Sequence, residues 1–389
     1  MMDSETLRFL LGPEGSELIE SAQSLEGDFL RRSTMLRKRF PSDAVNAGLD
    51  LIDLRKRAVK KFALAGEMFF TRESLEQASG EVISSYRAER FEPGSRVLDL
   101  ACGIGGDTIS LARRCYVTAV DYDPIRLEMA RRNIEVYGLS DRVEFVQADV
   151  TAIPLVGDAA FLDPSRRVDG RRIRSLAEMS PSVDFIRELT GRIPDVAVKL
   201  SPASDDDELV SLDAEVEFIS EAGECKDAVA WFGGFCRGNV SAVILPQKAV
   251  IQRGLTAPAY VRQFGRYLYE PDPAVIRSHS VDDLAIQIGA WHLNPAIPYL
   301  SSNAYEKTPF ASCYEILDGN LFNIKTINKY VRDNNIGRAI IKKRGVPFEP
   351  EEIARKIKFH GGNEITFILT TIDGRIWIFA CHRIDDKQE

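Results

Sequence analysis

A chain of 389 residues has room for two or three domains and a sizeable core. With 44% hydrophobic and 28% charged residues it has a globular composition, and its formal charge of -8 excludes a protein that coats nucleic acid by bulk electrostatics, though not a local basic surface. No run approaches the roughly 18 to 20 apolar residues of a membrane helix, and the acidic start Met-Met-Asp-Ser-Glu is unlike a signal peptide, so a cytoplasmic chain with no membrane partner is expected. The six cysteines form no C-x-x-C pair and the four histidines cluster with none of them, which predicts reduced thiols and no metal site.

Residues 1–90 read as helical, with apolar residues three and four apart (Leu7, Leu10, Leu11; Leu49, Ile52, Leu54) and a break at Pro41-Ser42-Asp43. Ten Lys and Arg lie between Arg31 and Lys61 against Asp43, Asp50 and Asp53; they suit either a solvated helical face or a polyanion contact. At Pro93-Gly94 the pattern changes. Across 91–248, short β-branched runs alternate with helical stretches, as in βαβ units on a parallel sheet. Strands are predicted at 96–101, 116–121, 143–147, 159–163, 196–200, 216–220, 229–232 and 240–245, with helices at 107–114, 124–137 and 171–189. Closely spaced late strands suggest an antiparallel pair at one edge. A Pro-rich stretch, 249–312, reads as a connector to a compact segment, 313–389. There the order β-α-β-α-β-β, with a hairpin turned at Asp373-Gly374, fits a small α+β sandwich of ferredoxin-like kind.

The strongest local signal is the run from Val97 to Thr108, in which an apolar strand enters a Gly-rich turn that opens a helix. Glycines at 103, 105 and 106 permit backbone to approach a ligand, and the helix start offers free N–H groups. A dinucleotide fingerprint would need glycine at position 108, which is Thr108. The loop instead resembles motif I of class I methyltransferases that use S-adenosylmethionine, with Asp99 as its acidic residue. Asp121 ends the second strand at the offset suited to a ribose diol, and Asp149 with Val150, after the third strand, looks like the adenine-holding corner of that superfamily. The resemblance implies a cofactor site of Asp99, Ala101, Gly103, Gly105, Gly106, Thr108, Asp121, Tyr122, Asp149 and Val150.

The fourth strand ends Asp163-Pro164-Ser165-Arg166-Arg167, where amino-directed methyltransferases carry a D-P-P-aromatic or N-P-P-aromatic turn. An exocyclic amine has a delocalised lone pair, so acceptors such as the Asp163 carboxylate and Pro164 carbonyl must grip its protons and aim the nitrogen at the methyl group. Ser165 and Arg166 replace the second proline and the stacking aromatic, and Arg166, Arg167, Arg171, Arg172 and Arg174 form a basic run suited to phosphates or to a solvated helix start.

From Asp99 to Asp163, including Ala130 to Gly138, the chain is similar to trimethylguanosine synthase and related guanine N2 methyltransferases. From Leu75-Glu76-Gln77-Ala78-Ser79 to the end it resembles bacterial class I methyltransferases with a THUMP-like C-terminal domain, through Tyr269 to Ala274 and Ile341 to Gly345. The resemblance implies an α/β, Rossmann-like enzyme with S-adenosylmethionine as cofactor and structured RNA, transfer or ribosomal, as partner. Asp163 and Pro164 would be catalytic, and Ser165, Arg166, Arg167, Lys342, Lys343 and Arg344 would contact substrate. Residues 301–389 hold 14 Lys and Arg against 12 Asp and Glu, so RNA binding there follows from kinship and not from charge. A small-molecule or protein acceptor, or a non-catalytic RNA-binding protein keeping the cofactor pocket, are the alternatives. Trp231, Trp291 and Trp377 are expected in the core, Cys102 as a packing residue and Asp205-Asp206-Asp207-Glu208 as a helix start.

Overall fold

In the computed structural model, residues 3–164, 167–168, 171–172, 175–254 and 260–384 are described, the backbone alone for 167, 168, 171 and 172. The chain divides into two units, Met1–Val216 with Asp227–Arg237, and Glu217–Lys226 with Gly238–Glu389.

The first unit begins with helices α1 (Ser4–Leu11), α2 (Pro13–Ser24), α3 (Phe29–Leu36), α4 (Ser42–Ala58), α5 (Arg72–Gln77) and α6 (Glu81–Ala88). Asp3, Asp28 and Thr71 cap three of them through their side chains. The α/β layer follows as β1 (Arg96–Leu100), α7 (Gly106–Ala112), β2 (Tyr116–Asp121), α8 (Pro124–Val136), β3 (Val143–Gln147), β4 (Ala159–Leu162), β5 (Arg167–Val168), β6 (Arg171–Arg172), α9 (Val183–Arg192), β7 (Asp195–Leu200) and α10 (Asp206–Val210), which Asp205 caps. Strand β8 (Glu215–Glu221) runs into the second unit, and β9 (Glu224–Gly233) returns to the first. The strand order in this unit is β9-β7-β4-β1-β2-β3, parallel from β7 to β3, with β9 antiparallel to β7.

Apolar runs place these strands: Val97, Leu98, Asp99 and Leu100 are all buried, as a strand covered on both faces requires. The N-terminal helices are no separate body, because Leu10, Leu18, Leu49, Ile52, Phe62 and Phe70 share one apolar cluster with Ile104, Ile109, Met129 and Ile134 of the α/β layer. The helix expected over 171–189 is found only from Val183 onward. Arg171 and Arg172 pair with Arg167 and Val168 as a two-stranded ladder, and α9 starts only after Pro181, where Ser182 caps it. Proline lacks the N–H and clashes with the preceding turn, so a helix cannot run through it at low cost.

In the second unit β10 (Val240–Leu245) pairs antiparallel with β11 (Ala249–Gln252), in the order β11-β10-β8. Next come β12 (Tyr267–Pro271), α11 (Pro273–Arg277), α12 (Val281–Gln287), β13 (Trp291–Asn294), β14 (Ile297–Ser302), β15 (Ala311–Leu321), α13 (Ile324–Asp333), β16 (Ile336–Lys343), α14 (Pro350–Ala354), β17 (Asn363–Ile372) and β18 (Arg375–Ile384). A seven-stranded sheet has the order β13-β14-β12-β15-β18-β17-β16, with β16 parallel to β17 and its other ladders antiparallel. The stretch 249–312 is therefore not a connector: β12, β13 and β14 extend the C-terminal sheet through the β12–β15 ladder. Two of its prolines fall at element boundaries, Pro273 in the first turn of α11 and Pro271 at the end of β12.

Candidate active site

Parallel strands β1, β2 and β4 deliver Asp99, Asp121 and Asp163 to their carboxyl ends, where open α/β sheets form ligand crevices. The first turn is built from positive backbone angles: Ala101 has φ 64°, Gly103 57° and Gly105 86°. Ala101 in this region carries strain, of the kind folds retain at working sites. A Cβ at Gly103 would meet nothing within 4 Å, so that glycine faces open space. At Gly106 the reason for glycine differs, since a Cβ would lie 3.0 Å from the Ser79 carbonyl oxygen; the residue lets α7 rest on the segment after α5.

Asp121 is 3% exposed and ties the loop together: Oδ2 accepts from the Gly103 amide at 2.9 Å and Oδ1 from the Asp123 amide at 2.9 Å. Burial pushes its carboxyl above the usual range, against the opposing effect of those two amides. Asp99 is fully enclosed. Its Oδ2 accepts from the Thr108 hydroxyl at 2.5 Å while Oδ1 is buried without a partner among the described residues. Burial, with the charge of Asp107 adding, pushes the Asp99 carboxyl up to about 8. Asn133, within the Ala130 to Gly138 stretch, fixes the loop from behind: its amide donates to the Ile104 carbonyl at 3.0 Å, and its oxygen accepts from the Phe69 amide at 2.7 Å.

Asp149 and Val150 sit at the end of β3, where Asp149 is exposed and Val150 buried. The Asp149 carboxylate accepts from the amide and hydroxyl of Thr151, and those bonds hold its pKa below the usual value. Tyr122 lies 70% exposed beside Asp121. Cys102 is a buried thiol whose pKa burial raises, consistent with a packing residue. Trp231 is core, whereas Trp291 and Trp377 are half-buried.

Beneath Asp163 lies a buried charge network that residue type and spacing do not reveal. Lys199 on β7 donates to Asp163 Oδ2 at 2.7 Å and to Ser79 Oγ at 3.0 Å. Ser79 also accepts from Arg87 at 2.7 Å, and Arg87 is clamped by Asp107 and by Asp227, the latter at 2.5 Å. Burial opposes the Arg87 charge, but its two carboxylates outweigh that and hold the guanidinium firmly protonated. A signal for this network was present: Lys199 interrupts the apolar run Val196-Ala197-Val198-Lys199-Leu200 and is 2% exposed. A buried lysine needs a partner.

The side chains of Ser165, Arg166, Arg167, Arg171, Arg172 and Arg174 lie outside the described residues. Lys342, Lys343 and Arg344 belong to the second unit at the end of β16. There Lys342 pairs with Glu270, Arg344 faces Glu270 at 3.9 Å and Lys343 bonds Glu349 at 2.7 Å. Among the described residues no group of His, Cys, Asp or Glu could hold a metal, and no helix is long and apolar enough to cross a membrane.

This parallel sheet, Gly-rich loop and row of strand-end carboxylates define a Rossmann-like class I methyltransferase fold. A solved structure assigned as a methyltransferase, from Porphyromonas gingivalis W83, superposes with TM-score 0.81 at 22% identity, over 99% of this chain and 100% of that one. An S-adenosylmethionine-dependent methyltransferase from Mycobacterium tuberculosis, itself uncharacterized, is 31% identical over 333 residues, 82% of this chain and 90% of the relative. The chain belongs to the S-adenosylmethionine-dependent methyltransferases. Family models for an RNA cap guanine-N2 methyltransferase and a THUMP domain-like region match residues 94–187 and 311–383, and a domain of unknown function matches 3–58. Trimethylguanosine synthase of Schizosaccharomyces pombe is 33% identical over 128 residues, 30% of this chain and 54% of that protein. The cofactor is S-adenosylmethionine, and the residues present suit it: a backbone turn opens at Gly103, and Asp121 and Asp99 retain acceptor capacity beside it.

Proposed function

We propose that this enzyme methylates a base nitrogen, with guanine N2 as the favoured acceptor, in structured RNA. The observation that carries this reading is the Asp163-Pro164 turn at the end of β4, where a carboxylate held through Oδ2 alone leaves Oδ1 without a hydrogen-bond donor among the described residues. Such an oxygen suits an exocyclic N–H, and the Pro164 carbonyl supplies a second acceptor of the kind an amino group needs. The match to the RNA cap guanine-N2 methyltransferase model over this corner and the THUMP domain-like match support RNA as the polymer.

In this reading Gly103 and Gly105 admit the methionine end of S-adenosylmethionine, Asp121 the ribose, and Asp149 with Val150 the adenine. Asp99, Ala101, Gly106, Thr108 and Tyr122 shape the turn around it. The bound cofactor supplies an electrophilic methyl group on a sulfonium. The chain contributes orientation: Asp163 and Pro164 aim the nitrogen, and the helix start at Gly106 adds a positive dipole end near the cofactor carboxylate.

Nucleoside mass spectrometry tests the reading, using RNA from cells lacking this chain incubated with purified enzyme and labelled S-adenosylmethionine. N2-methylguanosine should gain the label, and Asp163→Ala should lower kcat about 100-fold while cofactor affinity holds. Label in a small molecule or protein instead of RNA, or equal loss of turnover and cofactor affinity in the variant, would overturn it.

A further inference from the structure

We infer that Lys199 is the positioning residue for the acceptor carboxylate, seated by a hydroxyl that it shares with Arg87. The inference rests on the reading of Asp163 above. Strand β7 lies beside β4, with Leu162 registered against Val198, so the residue after Val198 reaches the corner where Asp163 leaves the sheet. The Lys199 side chain is 3% exposed and that of Asp163 25%, so the pair has a closed cationic end and an open anionic end.

The closed end is tightly determined. Ser79 Oγ accepts from Arg87 at 2.7 Å and from Lys199 at 3.0 Å, which uses both of its lone pairs on two cations. Arg87 cannot shift, because Asp107 on α7 and Asp227 on β9 hold its guanidinium, and Phe161 lies under it at 5.3 Å. Ser79 is itself pinned against Gly106. Lys199 therefore has one place to put its ammonium, and that place fixes Oδ2 of Asp163 at 2.7 Å. Replacing a buried ion pair with apolar residues is often neutral or stabilising, so folding energy is a poor reason for this lysine. Fixing one carboxylate oxygen so that the other addresses a substrate is a better one.

Two cations lie behind Asp163: Lys199 directly, and Arg87 beyond Ser79. With Oδ2 fixed by Lys199, Oδ1 is the oxygen left to accept from the substrate. With the cofactor bound, the site would aim the nitrogen lone pair at the methyl group, the new C–N bond replacing the C–S bond whose pair would stay on sulfur. The nitrogen then releases a proton to Asp163 Oδ1 and on to water. Lys199 touches no reacting atom.

Lys199→Met tests this by removing the charge while keeping the stem. Turnover should fall about 100-fold, as for a group displaced by an ångström, with cofactor affinity within about threefold of wild type. If Lys199→Met does not fold, Ser79→Ala keeps the ammonium but removes its seat, and turnover should drop about tenfold at unchanged cofactor affinity. Unchanged turnover in the folded variant, or a matching loss of cofactor affinity, overturns the inference. Absence of RNA methylation by the wild-type enzyme, with label found in another acceptor, defeats the functional reading instead, and turnover of Lys199→Met on that acceptor then still decides whether Lys199 positions Asp163.

Discussion

The strand-end corner of the first unit and the end of β16 in the second both carry charged residues that residue type marks as functional. They differ in what those charges already hold. At the corner, Asp163 accepts through Oδ2 alone and Asp99 keeps a buried oxygen without a partner among the described residues. At β16, Lys342 and Arg344 converge on Glu270 and Lys343 is bonded to Glu349. Burial opposes the Lys342 charge, but the Glu270 bond outweighs it and holds the ammonium protonated inside its own fold. A ligand must displace an existing partner there, whereas at the corner it completes an unfinished set. The type of a residue suggests chemistry; its remaining valence decides whether the chemistry is available.

The largest way to break this contrast is Arg87→Met. It strips Asp107 and Asp227 of their shared cation at a site 1% exposed, and an uncompensated buried charge costs about 3–5 kcal/mol. Urea unfolding should show a loss of that size; a loss below about 1 kcal/mol would mean that the network is not what holds α6, α7 and β9 together. Next, Asp121→Ala frees the Gly103 and Asp123 amides and removes the acceptor that the proposed reading assigns to the cofactor ribose. Calorimetry should give S-adenosylmethionine binding about 10- to 100-fold weaker, and unchanged affinity would remove Asp121 from the site.

A smaller effect comes from Asp99→Asn. The Asp99 carboxyl is raised from 3.8 to about 8, so between those values the folded chain holds a proton that the unfolded chain has released. That contribution to stability is complete at acid pH and fades as pH rises through about 8. Neighbouring carboxyls share the titration, so the expected difference is on the order of 1 kcal/mol. The variant's stability should fall less from acid to alkaline pH than wild type's, and parallel pH profiles would show that Asp99 is not the group responsible.

Much of the first unit was legible because its strands are buried on both faces and its glycines are required by φ, as at Gly103 and Gly105. The placement of Asp121 and Asp163 at neighbouring strand ends was legible because strand ends in parallel sheets converge on one crevice. Arg87 was not, because it meets Asp227 across 140 residues of chain, and Lys199 left only the mark of a cation inside an apolar strand. The helix expected from 171 starts at Val183 instead, because a helix does not run through Pro181 at low cost. The false connector arose from prolines that fall where strands and helices begin or end, which composition alone cannot separate from a linker.

The smallest expected effect concerns the C-terminal basic residues and sharpens the contrast most. A cationic side chain that neutralises a phosphate releases a counterion, so removing three such cations together would flatten the dependence of log affinity on log salt by about 2.7. If Glu270 and Glu349 retain these cations, the triple change Lys342→Ala, Lys343→Ala and Arg344→Ala should flatten it by less than about 1, and RNA affinity should fall less than about threefold. Glu270→Gln gives the opposite sign. It releases Lys342 and Arg344 from their shared anion, so RNA binding at low salt should tighten and its salt dependence steepen. If instead the triple variant flattens the dependence fully while Glu270→Gln does nothing, RNA already displaces both carboxylates, and the partners seen in the structure describe only the RNA-free enzyme.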